Sequence, residues 1–321
     1  MASDVPFPRH LLDIESLRRE QIEELLGLAA RFKRERASAR AGKGPPPRHG
    51  LLPGRTVVTL FFEASTRTRS SFEVAAHALG ADVLSFQKEA SSVSKGESLQ
   101  DTVRNLEAIG ADVLVVRHPA AGAPRAVSRA VRACVINAGD GAHEHPTQGL
   151  LDALTLREKL GELTGKVISI VGDIAHSRVA RSNVHCLVKL GARVRVAGPS
   201  TLIPAGVEKL GCEVARTLPE ALRDADAVMM LRIQQERIAD ARIPGTRDYA
   251  RVWGLDARTL QLLPPRAVVL HPGPVNRGVE LSSEVMDGER SLVMDQVDSG
   301  VGVRMAAQAL CLGAAGGGGS A

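Results

Sequence analysis

Aromatic residues are scarce in this chain of 321 residues: Phe, Trp and Tyr make up 2% of it, with one Trp and one Tyr. Single-stranded nucleic acid is held by stacking bases on such rings, and no zinc-finger or RNP-type pattern is present. The 41 Lys+Arg against 36 Asp+Glu, a net charge of +5, therefore do not signal a nucleic-acid partner. The excess suits small anionic substrates, or an arginine-rich surface. Cysteine is thin as well. Cys134, Cys186, Cys212 and Cys311 stand far apart, with no CxxC pair and no Cys/His set at metal-ligand spacing, so they read as reduced structural thiols and no metal is expected. No run approaches the ~20 apolar residues needed to cross a bilayer. The N-terminal MASDVPFPRHLLDIESL also lacks a signal-peptide core. The expectation is a cytoplasmic protein with no membrane partner.

What is present is apolar substance and alternation. With 44% hydrophobic residues the chain can bury two α/β cores. Ile22, Leu25, Leu26, Ala29 and Phe32 recur at helical spacing and predict a helix over Ser16–Arg36. Strands are expected at Thr56–Phe62, Asp82–Phe86, Val113–Arg117 and Val135–Asn137, with helices near Ser70–Leu79, Ser98–Ile109 and Arg125–Ala130 between them. After a helix from His145 to about Leu160 the alternation restarts, with strands at Val167–Val171, Arg193–Ala197, Ala227–Leu231 and Ala267–Leu270 and helices at Val179–Lys189 and Glu220–Arg223. A last helix is expected around Gly302–Leu312, followed by a glycine-rich tail. The fold class is α/β, with two parallel-sheet domains.

The most informative passage is Ser65-Thr66-Arg67-Thr68-Arg69-Ser70-Ser71, between an apolar strand and an amphipathic helix. A helix start presents unpaired N–H groups and partial positive charge, and hydroxyls and guanidiniums clustered there can surround a phosphate. One such triplet alone would be a capped, solvated helix start; two arginines and five hydroxyls in seven residues favour an anion site. Arg117-His118-Pro119 and Asp140 to Gln148 follow later strands of the same unit, where an open parallel sheet presents its ligands. The trio His118, His143 and His145 invites a metal reading. His145 before Pro146, with Gln148 soon after, instead suits a hydrogen-bond donor aimed at a carbonyl oxygen beside Arg117. In the second half, Arg178 and the Arg232/Gln234 pair follow two strands, each arginine a fork matched to a carboxylate. Ser91 and Lys95 lie in a polar loop. Val171-Gly172-Asp173 lacks the GxGxxG spacing of a dinucleotide site, so an NAD enzyme is disfavoured.

In order along the chain, FEASTRTRSSFE, SSVSKGE, VRHP, AGDGAHEHPTQGLLD, VGDIAHSR, MMLRIQQER and HPGPVNRGVE resemble the catalytic chains of aspartate carbamoyltransferases, over roughly Leu11 to Ala309. The resemblance implies two doubly wound domains. A carbamoyl phosphate domain would span 1–147, rejoined by a C-terminal helix at about 298–313; an aspartate domain would span 148–297; residues 314–321 would be a disordered tail. It further implies that Ser65, Thr66, Arg67 and Thr68 hold the phosphate, that Thr68, Arg117 and His145 converge on the carbonyl oxygen, and that Gln148 with the backbone of Gly273 and Pro274 holds the carbamoyl NH₂. Arg178, Arg232 and Gln234 would bind aspartate and Lys95 would reach both substrates. Ser91 and Lys95 would come from a neighbouring subunit of a homotrimer, and no cofactor is implied. Whether regulatory chains or dihydroorotase join the assembly is left open. His176 stands where some members have tyrosine, and Gly273 where others have a larger residue. Ornithine carbamoyltransferase shares the STRTR and HPTQ elements, but carries a His-Cys-Leu-Pro segment and a Ser-Met-Gly loop where this chain has His271-Pro272-Gly273-Pro274 and Arg232 with Gln234. An arginine suits a second carboxylate and would repel an ammonium. A non-catalytic scaffold is the remaining alternative, and the intact motifs argue against it.

Overall fold

The computed structural model describes residues 5–44, 47–87, 97–233 and 245–314. Ser91, Lys95, Gln234 and the tail from residue 315 fall outside the described residues. The chain divides into two compact units, one of Met1–Leu151 with Asp298–Ala321 and the other of Asp152–Val297. No helix among the described residues is long and apolar enough to cross a membrane.

The first unit opens with α1 (Arg19–Ser38), then alternates β1 (Thr56–Phe61), α2 (Thr66–Leu79), β2 (Asp82–Gln87), α3 (Leu99–Ala108), β3 (Val113–His118), α4 (Ala123–Ala130) and β4 (Cys134–Asp140). All four strands are parallel, in the order β2-β1-β3-β4. Successive residues of β1, β3 and β4 are buried rather than alternately exposed, as expected when helices cover both faces of a parallel sheet. Val58, Leu60, Leu114, Val116 and Val135 pack with Val103 of α3 and Val127 of α4 in one core. The order reverses between β1 and β3, the place where an open sheet opens a crevice at its carboxyl edge.

Helix α5 (Pro146–Leu160) runs across the division into the second unit. There follow β5 (Val167–Val171), α6 (Arg178–Lys189), β6 (Arg193–Ala197), β7 (Glu213–Ala215), α7 (Leu218–Leu222), β8 (Ala227–Met230), α8 (Thr246–Trp253), α9 (Ala257–Leu260), β9 (Val268–Leu270) and α10 (Ser283–Met286). The strands are again all parallel, ordered β7-β6-β5-β8-β9, with the reversal between β5 and β8. Helix α11 (Val293–Cys311) closes the described chain, and its portion from Asp298 groups with the first unit.

Three departures from the sequence reading have physical causes. Helix α2 starts at Thr66, four residues ahead of the expected Ser70, because its first turn is wholly polar and carries no apolar period to reveal it. Helix α11 starts nine residues before the expected Gly302. Gly302 is interior to it: a Cβ there would stand 2.7 Å from the Ala29 carbonyl oxygen, so the glycine permits close approach to α1 rather than marking an end. Strand β7 and helix α8, absent from the sequence reading, are short elements whose fixing contacts come from neighbouring elements.

Within the second unit a fully buried polar relay joins three helices to the loop after β9. The Asp152 carboxylate accepts from Gln296 Nε2 at 2.7 Å and Asn183 Nδ2 at 2.8 Å, while Gln296 Oε1 accepts the His271 N–H at 2.9 Å. All four residues are at most 3% exposed. Asp152→Asn sets an amide NH₂ against one of these donors and is expected to cost roughly 1.5–3 kcal/mol in urea unfolding. A loss below about 0.5 kcal/mol would show the relay to be incidental.

Candidate active site

The sequence cluster Ser65–Thr68 sits at the switch point of the first sheet. Ser65 is the N-cap of α2, with Thr66, Arg67 and Thr68 in its first turn; the Ser65 side chain makes no capping hydrogen bond. The amides of this turn have no intrahelical acceptor, and the turn is the positive end of a 14-residue helix. Arg67 is exposed. Arg69, by contrast, is turned to an ion pair with Glu73 at 3.7 Å, and Ser71 Oγ donates to the Thr68 carbonyl at 2.8 Å, so both brace the helix.

The Phe62 N–H donates to the Arg117 carbonyl at 2.9 Å, keeping the chain after β1 against the end of β3. The Arg117 guanidinium donates from Nη1 to the Ala138 carbonyl at 3.2 Å and lies 3.7 Å from Glu63. This carboxylate–carbonyl pair holds the fork at the sheet edge. His145 follows β4 and directly precedes Pro146 at the start of α5; its carbonyl accepts from the Gln148 and Gly149 N–H groups at 2.9 and 3.2 Å, and the ring is 4% exposed. Gln148 is likewise buried. The six residues Ser65, Thr66, Arg67, Thr68, Arg117 and His145 thus share the carboxyl edge of β1, β3 and β4, with Gln148 one turn further.

Buried carboxylates that the sequence reading passed over shape this edge. Asp140, 1% exposed, accepts from Gly122 N at 2.6 Å, Asn137 Nδ2 at 2.8 Å and Glu144 N at 3.2 Å, and pairs with His143 Nδ1 at 3.1 Å. Glu144, wholly buried, accepts the Ile14 and Glu15 N–H groups at 3.0 and 3.2 Å. Gly141 lets the loop press on its neighbour: its φ is +49°, and a Cβ would lie 2.8 Å from Ala121 N. The histidines of the sequence trio are separately engaged, His143 with Asp140 and His118 Nδ1 accepting from Ala120 N at 2.9 Å. The signal available in sequence was an acidic residue beside each glycine or histidine of AGDGAHEHP; what it bonds to is set by tertiary structure.

In the second unit the reversal point carries the other set. Ser177 Oγ caps α6 by accepting from Ala180 N at 3.1 Å, and Arg178, expected in the loop, is the first residue of that helix and 7% exposed. Arg232 lies two residues past β8, which pairs with β5, while Arg178 starts the helix that follows β5 rather than ending the strand. Gly273 and Pro274 follow β9 and are joined by a cis peptide bond. Asp173 accepts His176 N and faces His176 Nδ1, at 3.1 and 3.0 Å. Glu280, wholly buried, accepts from Ile233 N at 2.7 Å, Asn276 N at 2.9 Å and Asn276 Nδ2 at 2.7 Å. Burial pushes its carboxyl up, only partly opposed by those donors. All four cysteines are buried and none is in a disulfide, and burial raises the Cys212 thiol to about 11.

Two parallel α/β units with hydroxyl-rich or arginine-bearing helix starts at their switch points make a protein built to hold small anions. Residues 9–158 match the family described as Aspartate/ornithine carbamoyltransferase, carbamoyl-P binding domain, and 164–311 match its Asp/Orn binding domain. The chain belongs to the aspartate/ornithine carbamoyltransferase family. It is 58% identical over 299 residues to the aspartate carbamoyltransferase catalytic subunit of Anaeromyxobacter sp. (strain Fw109-5), covering 93% of each chain. To that of Myxococcus xanthus (strain DK1622) it is 54% identical, covering 94% of this chain and 99% of the other. Among solved structures it is similar to aspartate transcarbamoylase from Trypanosoma cruzi in complex with carbamoyl phosphate and aspartate, with TM-score 0.83, 32% identity and coverage of 94% and 95%. Ornithine carbamoyltransferase from Thermus thermophilus gives TM-score 0.83 at 28% identity, with coverage of 95% and 99%.

The Asp140–His143 pair has a pH signature. The hydrogen bond to Asp140 outweighs desolvation and raises His143 above its ordinary value. A raised folded-state histidine contributes stability that is complete below the unfolded pKa and disappears as pH rises through the folded one. His143→Ala is therefore expected to lose most stability at about pH 6 and least at about pH 9 in urea unfolding. A cost that grows with pH would contradict the pairing.

Proposed function

We infer that the chain is an aspartate carbamoyltransferase: it transfers the carbamoyl group of carbamoyl phosphate to the α-amino group of L-aspartate, giving N-carbamoyl-L-aspartate and phosphate, the committed step of pyrimidine synthesis. The observation that carries the reading is the identity of more than half of all positions, over nearly the whole of both chains, with aspartate enzymes. The fold by itself is shared with ornithine enzymes. Arg232 favours aspartate, because a second carboxylate satisfies a guanidinium that an ornithine ammonium would oppose.

The chemistry assigns roles to the edge residues. Ser65, Thr66, Arg67 and Thr68 bind the phosphate through hydroxyls, guanidinium and helix-start amides, and neutralise it as it leaves. Thr68, Arg117 and His145 donate to the carbonyl oxygen as the amine nitrogen attacks the carbamoyl carbon and negative charge gathers there. The C–O bond to phosphate then breaks, and the proton of the attacking amine passes to the departing phosphate. Gln148 and the backbone of Gly273 and Pro274 orient the carbamoyl NH₂; Arg178, Arg232 and Gln234 hold the aspartate carboxylates. Positioning two anions against their repulsion accounts for much of the rate. We place the enzyme in the cytoplasm as a homotrimer in which Ser91 and Lys95 of one chain serve the site of the next.

Incubating purified protein with carbamoyl phosphate and either L-aspartate or L-ornithine, then assaying ureido product, is expected to give product with aspartate only. Product with ornithine alone would overturn the assignment, and none with either would favour the scaffold. For the shared site, Lys95→Ala and Arg67→Ala chains, each inactive alone, are expected to regain partial activity when mixed and reassembled. Demonstrably mixed trimers with no recovered activity would rule out sharing.

A further inference from the structure

Glu280 contacts two of the three segments of the second unit that carry proposed substrate groups, the one after β8 and the one after β9. Its Oε1 accepts the Ile233 N–H at 2.7 Å, one residue beyond Arg232, and Asn276 Nδ2 at 2.7 Å. Its Oε2 accepts the Asn276 N–H at 2.9 Å, two residues beyond Pro274. Asn276 Nδ2 also reaches the Ile233 carbonyl at 3.2 Å, so a side-chain amide and a carboxylate together close a bridge between the chain after β8 and the chain after β9. The Glu280 carbonyl accepts from Leu255 N at 2.9 Å, which fixes the residue that makes the bridge.

We propose that Glu280 is a positioning residue for the transfer reaction, setting Arg232 and the Gly273–Pro274 backbone in register with each other. A carboxylate wholly removed from solvent is costly unless donors satisfy it, and here both oxygens are spent on two backbone N–H groups and one amide. A residue serving stability alone could be apolar. One whose acceptors match two loop amides fixes where those loops run. Register matters because displacing a carboxylate-binding fork by about 1 Å can cost on the order of a hundredfold in rate. The inference rests on the proposed function, since Arg232 and Gly273–Pro274 are substrate contacts only under that reading.

The test compares steady-state kinetics and phosphate binding of the full chain with Glu280→Gln and Asn276→Ala. Glu280→Gln keeps size but replaces one acceptor by an NH₂ facing a backbone N–H. The KM for L-aspartate is expected to rise about tenfold, the scale of one lost charge-assisted hydrogen bond. Inorganic phosphate, assigned under that reading to the α2 turn of the other unit, is expected to bind within about twofold of the parent, as is typical of a site with no shared partners. Asn276→Ala, which leaves Glu280 its two backbone donors, is expected to shift the aspartate KM in the same direction by less. An unchanged aspartate KM in a folded Asn276→Ala or Glu280→Gln protein would overturn the proposal. So would a loss of phosphate affinity equal to the loss for aspartate, which marks general destabilisation. A parent without aspartate activity would instead sink the proposed function, a distinguishable failure.

Discussion

A parallel sheet covered on both faces has no room for chemistry along its strands. In β1, β3 and β5 the interior residues are buried one after another, and every apolar side chain there is committed to packing. Polar groups that must meet a ligand are driven to the carboxyl edge, where each strand gives way to a helix whose first amides have no partner of their own. This constraint is met twice in the molecule, at the β1/β3 reversal and at the β5/β8 reversal. At the first, a helix start supplies hydroxyls and a guanidinium in its opening turn. At the second, Arg178 starts the helix after β5 and Arg232 lies just past β8, which pairs with β5.

Loops placed at an edge still need fixing, and buried carboxylates do this in both units. Asp140 and Glu144 hold the passage leading to His145; Asp152, through Gln296, holds the start of His271–Pro274; Glu280 holds the two segments beyond Arg232 and Pro274. Each accepts two or more N–H bonds, mostly from backbone at Asp140, Glu144 and Glu280 and from side-chain amides at Asp152. Charge-assisted bonds to amides offset the desolvation of the carboxylate and specify loop geometry more sharply than apolar contact, which has no direction. The groups proposed to touch substrate and the buried carboxylates that fix their loops are therefore different sets of residues.

Sequence made the first set legible and hid much of the second. Short apolar runs revealed β1, β3, β5 and β8 because buried parallel strands are mostly apolar along their length. Arg67, Arg117, Arg178 and Arg232 stood out because charge at the end of a strand, or in the turn that follows it, has few structural uses. The first turn of α2 and the first half of α11 escaped notice, one for want of apolar residues and the other because its glycines resemble breaks while serving helix contact. The partners of Glu144 and Glu280 were not legible: they are mostly backbone amides, up to 130 residues away, a relation that only the folded chain defines.

The central claim is that the opening turn of α2 is the phosphate site. Calorimetric titration of the parent and of Arg67→Ala with inorganic phosphate, at matched pH and salt and with folding checked by circular dichroism, tests it most directly. The account expects saturable binding by the parent and affinity lowered at least tenfold in the variant, the order of a lost bidentate charge-assisted contact. Equal phosphate affinity in the two proteins would contradict it.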